Sequence, residues 1–300
     1  MRKSMQSVGF LLATKPNHWA KYIQWFKAKL RTLNDADVIV LPPNGAAGDR
    51  NTILDNARYL ANHFDVIVTA GTQAALACKE ATQTNRKPFV FASVGDAAIS
   101  GLTPHHGGNF TGGCNGQVKY VSKRVDHMLN NSIFKEPFAV VGNSTNEPAK
   151  TAMAAAASAL DDKHKQYRLA SITPDDDIGR FIDGLKAQGI KSLYVCSDLW
   201  ITVHSTDLNN KAHAAGMKTM WEFQEHKTVH NGDDYYGVNF KDMFEKAAEY
   251  VNKILRDTDT KAGDLPLYEP SPSAKKRKSR ASLGKKRPAS VTKKKVRRGR

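Results

Sequence analysis

The sequence is poor in cysteine and has no long apolar segment. Its three cysteines, Cys78, Cys114 and Cys196, are widely spaced and form no C-x-x-C pair, which excludes a disulfide framework and the usual zinc or thioredoxin motifs. No run approaches the roughly 18 apolar residues of a membrane span. The apolar run at 8–13 is too short for a signal peptide. We therefore expect a cytoplasmic protein as the sequence is written, or a periplasmic one if the true start lies upstream.

Motifs for phosphate binding and for catalysis are also missing. The sequence contains neither G-x-x-x-x-G-K-[ST] nor G-x-G-x-x-G, and no Ser–His–Asp or Cys–His pairing can be nominated from it. His105 and His106 stand in a glycine-rich stretch without carboxylate or cysteine partners at ligand spacing, so no metal site is predicted there. The sequence therefore predicts a protein that is not an enzyme and needs no metal or cofactor.

Acidic residues are absent from the last thirty positions. Residues 271–300 carry fourteen Lys or Arg, and removing them from the net charge of +16 leaves +2 for residues 1–270. With almost no large apolar residues to bury, the tail at 269–300 is predicted to be disordered. Three interpretations stay open: a solvated extension, non-specific attraction of nucleic acid to Lys275–Arg300, and binding to an anionic membrane surface.

Short β-branched runs alternate with longer amphipathic segments along the rest of the chain. Strands are predicted at 7–13, 37–41, 65–70, 88–92, 137–141, 167–172, 192–196 and 217–222, and helices lie between them. This alternation is typical of an α/β fold with parallel sheets. The stretch 95–116, rich in Gly, Pro, His and Asn, interrupts the pattern and indicates two lobes of similar size.

Small polar residues follow four of the predicted strands. In open α/β sheets, ligands bind beyond the carboxyl ends of the strands, where helix N-termini offer free N–H groups. Each loop could equally contain an ordinary helix cap or turn. The candidate residues at these strand ends are Thr72, Gln73, Asp96, Asn143, Ser144, Glu147, Ser197 and Asp198.

One segment, 65–115, resembles the ABC transporter substrate-binding family that includes tryptophan-type receptors. The match runs in order through Gly71-Thr72, Ala74-Ala75, Lys79, Ala81-Thr82, Pro88, Val90-Phe91, Val94, Asp96, Gly101-Leu102, Gly107-Gly108-Asn109 and Thr111-Gly112. Later pieces also fit, among them Val141-Gly142-Asn143 and Leu265-Pro266. The resemblance covers residues 6–268.

The resemblance implies a periplasmic-binding-protein-like fold with a ligand cleft between two Rossmann-like lobes. The expected domains are an N-terminal lobe at 6–113, a C-terminal lobe at 114–236, and a closing helix at 237–268 that returns to the first lobe. Carried over residue by residue, the eight candidates above would meet the ligand. Asn17 and His18 would join them from the cleft entrance, and Trp19 or Trp200 could stack on a planar ligand.

Two functions from different classes are consistent with these features. The first is a solute receptor that closes over a small metabolite, an amino acid or related carboxylate, and delivers it to an ABC permease. The alternative is a cytoplasmic ligand sensor or scaffold that its basic tail tethers to nucleic acid.

Overall fold

The computed structural model describes residues 6–14, 16–34, 36–41 and 49–272, and for residues 16–18 and 41 it describes the backbone only. The prediction for the basic tail therefore lies outside the described residues from 273 onwards.

The first lobe is built on a parallel sheet. Its five strands are β1 (Ser7–Leu12), β2 (Asp37–Leu41), β3 (Val66–Ala70), β4 (Phe89–Val94) and β5 (Phe110–Cys114), in the spatial order β2-β1-β3-β4-β5. The helices α1 (Pro16–Arg31), α2 (Arg50–His63), α3 (Thr72–Ala81) and α10 (Phe240–Arg256) cover it.

The second lobe repeats this architecture. Its strands are β6 (Phe138–Gly142), β7 (Tyr167–Ser171), β8 (Ser192–Val195), β9 (Lys218–Trp221) and β10 (Asp234–Tyr235), in the order β10-β9-β8-β6-β7, and all neighbours are parallel. Its helices are α4 (Val121–Leu129), α5 (Glu147–Asp161), α6 (Ile178–Ala187), α7 (Leu199–Val203), α8 (Ser205–Ala214) and α9 (Gln224–Thr228). The predicted fold class, two α/β lobes with parallel sheets, is confirmed.

Both faces of the first sheet are buried. Successive side chains of a strand point to opposite faces, so Val68 packs into the core beneath α1 and α10 while Ile67 packs into the core beneath α2 and α3. This explains why the strands are nearly continuous apolar runs. Helix α10 contributes Phe244, Ala248 and Val251 to the first of these cores, with the spacing of one helix face.

Two strands were missed by the sequence analysis. The stretch 95–116 is not only a series of turns, because it contains β5, which pairs with β4. The short strand β10 at the edge of the second sheet was also missed. Neither strand is a continuous apolar run, and β5 can lie this close to β4 because Gly112 has no Cβ atom to meet Phe91.

Within the described residues the chain passes between the lobes in two places. The first crossover (residues 115–120) joins β5 to α4, and the second crossover (residues 236–239) joins β10 to α10. The terminal segment (residues 265–270) pairs with β5 through Tyr268 and then approaches the first crossover, where the Tyr120 hydroxyl donates to the Pro270 carbonyl at 3.2 Å. Helix α10 packs on α1 in the first lobe. The domain boundaries given above stay predictions.

Candidate functional site

A cavity lies between the two lobes, at the carboxyl ends of their strands. Its volume is about 140 Å³. Because a water molecule needs roughly 10–15 Å³ by this measure, the cavity holds roughly ten water-sized groups. It can therefore enclose a molecule about as large as an amino acid or a small aromatic acid.

One wall of the cavity is aromatic. Trp19 and Tyr22 reach it from α1, Phe223 from the turn after β9, and Phe240 from the start of α10. The rings touch in sequence, with centroids 5.6 Å apart for Trp19–Tyr22, 5.2 Å for Tyr22–Phe240 and 4.6 Å for Phe223–Phe240. The Trp19 indole N–H is satisfied by the Thr14 hydroxyl at 2.9 Å. This wall suits a flat apolar group.

The N-terminus of α3 forms a polar part of the first-lobe wall. Its N-cap is Gly71, in the left-handed region at φ 82°, and no side chain caps the first turn. The Thr72 hydroxyl accepts from the Gly95 N–H at 3.3 Å, so it faces the neighbouring strand end. By contrast, Asn146 caps α5 and Asp198 caps α7. The uncapped N–H groups of α3 can bind a carboxylate.

The second lobe contributes the charged group of the cavity. Among the described lining residues, Asp198 is the one carboxylate, and no Lys or Arg lies there. Its Oδ2 accepts from Asn143 Nδ2 and its Oδ1 from the Ile201 N–H, both at 2.7 Å. Burial raises the pKa of Asp198 and lowers the pKa of His230, which also lines the cavity. Asp198 keeps lone pairs for a ligand ammonium group.

Four of the ten predicted ligand-binding residues line the cavity, namely Thr72, Gln73, Ser197 and Asp198. Four others have their places outside the lining. Asp96 caps a turn at the Ile99 N–H, the Ser144 hydroxyl bonds that of Ser171, and Glu147 pairs with Lys150 at the surface. Asn143 lies one step behind the wall and holds Asp198.

The last two predicted residues lie at the start of α1. The backbone of Asn17 and His18 belongs to this helix, and their side chains lie outside the described residues. Of the two tryptophans considered for stacking, Trp19 lines the cavity. Trp200 instead packs beside the core of the second lobe, with its ring 4.4 Å from that of His204.

Sequence reasoning missed a larger set of lining residues. Most of them lie in turns, crossovers or helix starts, which the choice of polar residues after predicted strands does not cover. They are Tyr22, Ser93, Asn115, Gln117, Asn146, Pro148, Thr202, Phe223, His230 and Phe240. Asn146 both lines the cavity and caps α5. The resemblance indicated Trp19 but not Tyr22, Phe223 and Phe240, because these residues approach it only in the folded chain.

Within the described ranges, no cluster of three or more His, Cys, Asp or Glu residues could hold a metal ion. The same part of the chain contains no helix long and apolar enough to cross a membrane. The three cysteines are buried, and burial raises the pKa of each thiol.

Two parallel α/β lobes, two crossovers and an interlobe cavity are typical of a solute-binding protein of the periplasmic-binding type. The family model for ABC transporter substrate binding protein matches residues 29–271. The chain belongs to this family, and the resemblance found in the sequence is confirmed. Proteins of this family bind solutes and are not enzymes.

Solved structures show the same fold at low sequence identity. The ABC domain from Streptococcus pneumonia in complex with L-Trp is 15% identical over 89% of this chain and 90% of its own, with a TM-score of 0.76. A conserved domain protein from Vibrio cholerae is 18% identical over 90% and 91%, with a TM-score of 0.74. A solute-binding protein from Rhodopseudomonas palustris, in complex with 3,4-dihydroxybenzoic acid, is 12% identical over 87% and 84%, with a TM-score of 0.67. No curated protein sequence matches the chain.

Proposed function

We propose that this protein is a receptor for an α-amino acid with a flat apolar side chain, which it delivers to an ABC permease. The observation that carries the proposal is the composition of the cavity. It combines an uncapped helix N-terminus on one lobe, the Asp198 carboxylate on the other and an aromatic wall between them. These groups match the carboxylate, ammonium and side chain of such a ligand in turn.

Two of the structural neighbours carry ligands of compatible chemistry. One holds L-Trp, which has an ammonium group, and another holds a dihydroxybenzoic acid, which lacks one. Asp198 favours the first class for this chain, because its carboxylate, which accepts two hydrogen bonds and has no Lys or Arg beside it among the described lining residues, attracts an ammonium group and repels an anion. The permease follows from the family, whose members pass their solutes to such transporters.

Thermal unfolding of the full chain tests the ligand class. L-tryptophan at about 100 times its dissociation constant should add roughly 2.7 kcal/mol and raise the melting temperature by roughly 5–10 °C. Tryptamine, which lacks the carboxylate, and indole-3-propionate, which lacks the amine, should each give a clearly smaller shift. L-phenylalanine and 3,4-dihydroxybenzoate complete the panel.

The control for this panel is Asp198→Asn. An asparagine keeps an oxygen that can cap α7, so the fold should survive, but the charge opposite the ligand ammonium is lost. We expect the variant to lose most of the rise in melting temperature with L-tryptophan. Any rise with indole-3-propionate should be the same as in the wild type. An equal L-tryptophan shift in the variant and the wild type would refute the role of Asp198. A larger shift with the amine-free acid would reassign the ligand class.

A second candidate function concerns the tail alone. The fourteen basic residues between Lys275 and Arg300, with no acid among them, favour non-specific attraction to nucleic acid through release of counterions. We expect the full chain to retard a random DNA duplex at about 50 mM salt and to lose this binding at about 200 mM. A variant that ends at Pro272 should not retard the duplex in either buffer. Retardation by this shortened variant would place any nucleic-acid binding elsewhere, and no retardation by either protein would remove this function.

A further inference from the structure

A buried ion pair lies behind the second-lobe wall of the cavity. Arg124 on α4 and Glu222 after β9 are both fully buried, with Arg124 Nη1 3.4 Å from Glu222 Oε1. Neither residue lines the cavity. Ion pairs buried this deeply are costly to desolvate and are weak evidence for stability. The role of the pair is therefore inferred from the groups that it contacts.

Glu222 holds the cavity wall directly. Its Oε2 accepts the Ser197 N–H at 2.9 Å, and Ser197 precedes Asp198 in the lining. The Ser197 carbonyl in turn accepts from Gln117 Nε2, and Gln117 is another lining residue, located in the first crossover. The carboxylate of Glu222 thus fixes the backbone that carries the charged group of the cavity.

Arg124 binds both the first and the second crossover. Its Nε donates to the Tyr236 carbonyl of the second crossover at 2.8 Å, and its Nη1 lies 3.4 Å from the Gln117 carbonyl of the first crossover. Nη1 also donates to the Tyr194 hydroxyl at 2.9 Å. One guanidinium group therefore contacts both segments that connect the two lobes within the described residues.

The second crossover also packs directly on Glu222. A Cβ atom added to Gly237 would lie 1.6 Å from the Glu222 carbonyl oxygen. The two backbones are therefore as close as glycine permits, and a displacement of Glu222 must displace the second crossover. Tyr236 strengthens this link, because its N–H donates to the Trp221 carbonyl at 3.1 Å.

From these contacts we propose that Arg124 and Glu222 are positioning residues that couple the Ser197–Asp198 wall to the first and second crossovers. The pair holds the wall in the position that receives ligand and transmits a change at the wall to the segments between the lobes. The predicted effect on ligand affinity rests on the proposed receptor function. The predicted effect on the ligand-free protein rests on the hydrogen bonds alone.

The decisive variant is Glu222→Gln, with Asp233→Asn as its matched control. Both exchange a carboxylate for the amide of the same shape, and both residues lie in the second lobe, Glu222 directly after β9 and Asp233 directly before β10. Asp233 pairs with Lys218 and His213 and lies outside the cavity lining. A glutamine has one acceptor oxygen, so it cannot serve both Arg124 and the Ser197 N–H as Glu222 does.

Amide hydrogen exchange of the ligand-free protein tests the coupling without any ligand. In Glu222→Gln we expect exchange to accelerate at least tenfold at Ser197, Asp198 and the second crossover, with β6 and β7 unchanged. Arg124→Lys should accelerate the same amides, although Arg124 does not bond Ser197 itself. Asp233→Asn should leave them as in the wild type. Equal exchange at Ser197 in Glu222→Gln and the wild type overturns the proposal, as does acceleration spread evenly over the second lobe.

Calorimetric titration with L-tryptophan supplies the second readout. Couplings between sites typically change affinity by about 5- to 150-fold, and we expect Glu222→Gln to weaken binding by about tenfold while Asp233→Asn stays within twofold. An equal loss in both variants overturns the proposal, because general destabilisation would then explain it. If the wild type does not bind L-tryptophan, the proposed ligand fails, and the exchange measurement alone decides whether the pair positions the wall.

Discussion

Replacing Gly112 by alanine is expected to lower the free energy of unfolding by more than about 4 kcal/mol. Gly112 lies in β5, directly opposite Phe91 of β4. A Cβ atom at this position would lie 2.1 Å from the Phe91 carbonyl oxygen and 2.4 Å from its ring. The obstruction includes backbone of a buried strand, which cannot move aside without breaking its own ladder. The β4–β5 pairing must therefore open.

Gly184 offers a matched control for this substitution. It lies inside α6, and a Cβ atom there meets nothing within 4 Å. Gly184→Ala should stabilise the protein by about 0.5–1 kcal/mol, because alanine loses less conformational freedom in a helix. Urea unfolding followed by circular dichroism measures both variants. A Gly112→Ala protein within about 1 kcal/mol of the wild type would show that β5 does not pack on Phe91 in this way.

The same glycine explains why β5 was missing from the sequence-based prediction. Hydrophobic periodicity predicts a strand from the side chains it contains, and the two central residues of β5 have none. What places this strand in the sheet is the bulk of Phe91 on its neighbour, a partner 21 positions earlier in the chain. The strands β1, β3, β4 and β6 were predictable because the apolar side chains that each strand buries form a run within its own sequence.

The candidate site also contains some residues that the sequence could predict and others that it could not. Thr72 and Asp198 could be predicted because each follows a strand directly, and parallel strands end at one edge of a sheet. Asp96 and Asn143 follow strands too, but local hydrogen bonds turn their side chains to a turn and to Asp198. Phe240 enters the cavity from a helix more than 200 residues from Trp19. Such contacts depend on how two lobes meet, which no local pattern encodes.

Glu225 is a buried carboxyl group beside the aromatic wall, and it should make stability depend on pH. It lies in α9 with 5% of its surface exposed, and its Oε2 has no hydrogen-bond partner among the residues that the structure describes. Burial raises the pKa of Glu225 to about 7, although hydrogen bonds from the backbone of Glu225 and Phe240 and the attraction of Lys21 oppose it; repulsion from Asp242 adds to the rise. The unfolded chain titrates near the ordinary value of 4.5. Between these two values the folded protein binds more protons than the unfolded one.

Stability therefore falls as the pH rises through this window, and the full penalty is present above about pH 7. A difference of about 2.5 pKa units corresponds to roughly 3 kcal/mol. Glu225→Gln removes the titrating group and keeps its shape. The variant should be more stable than the wild type by about 2–3 kcal/mol at about pH 8.5 and equal to it near pH 4.5.

Urea unfolding at both pH values checks this, with Glu245→Gln on the partly exposed side of α10 as the control. The control should differ little from the wild type at either pH, because a surface pair of this kind contributes about 0–1 kcal/mol. His226 is also buried, and its lowered pKa gives the opposite slope below pH 6.5. Both proteins retain it, so its contribution cancels in the comparison. A Glu225→Gln protein that gains the same stability at both pH values would show that folding does not shift the pKa of Glu225 and that packing, not charge, separates the variants.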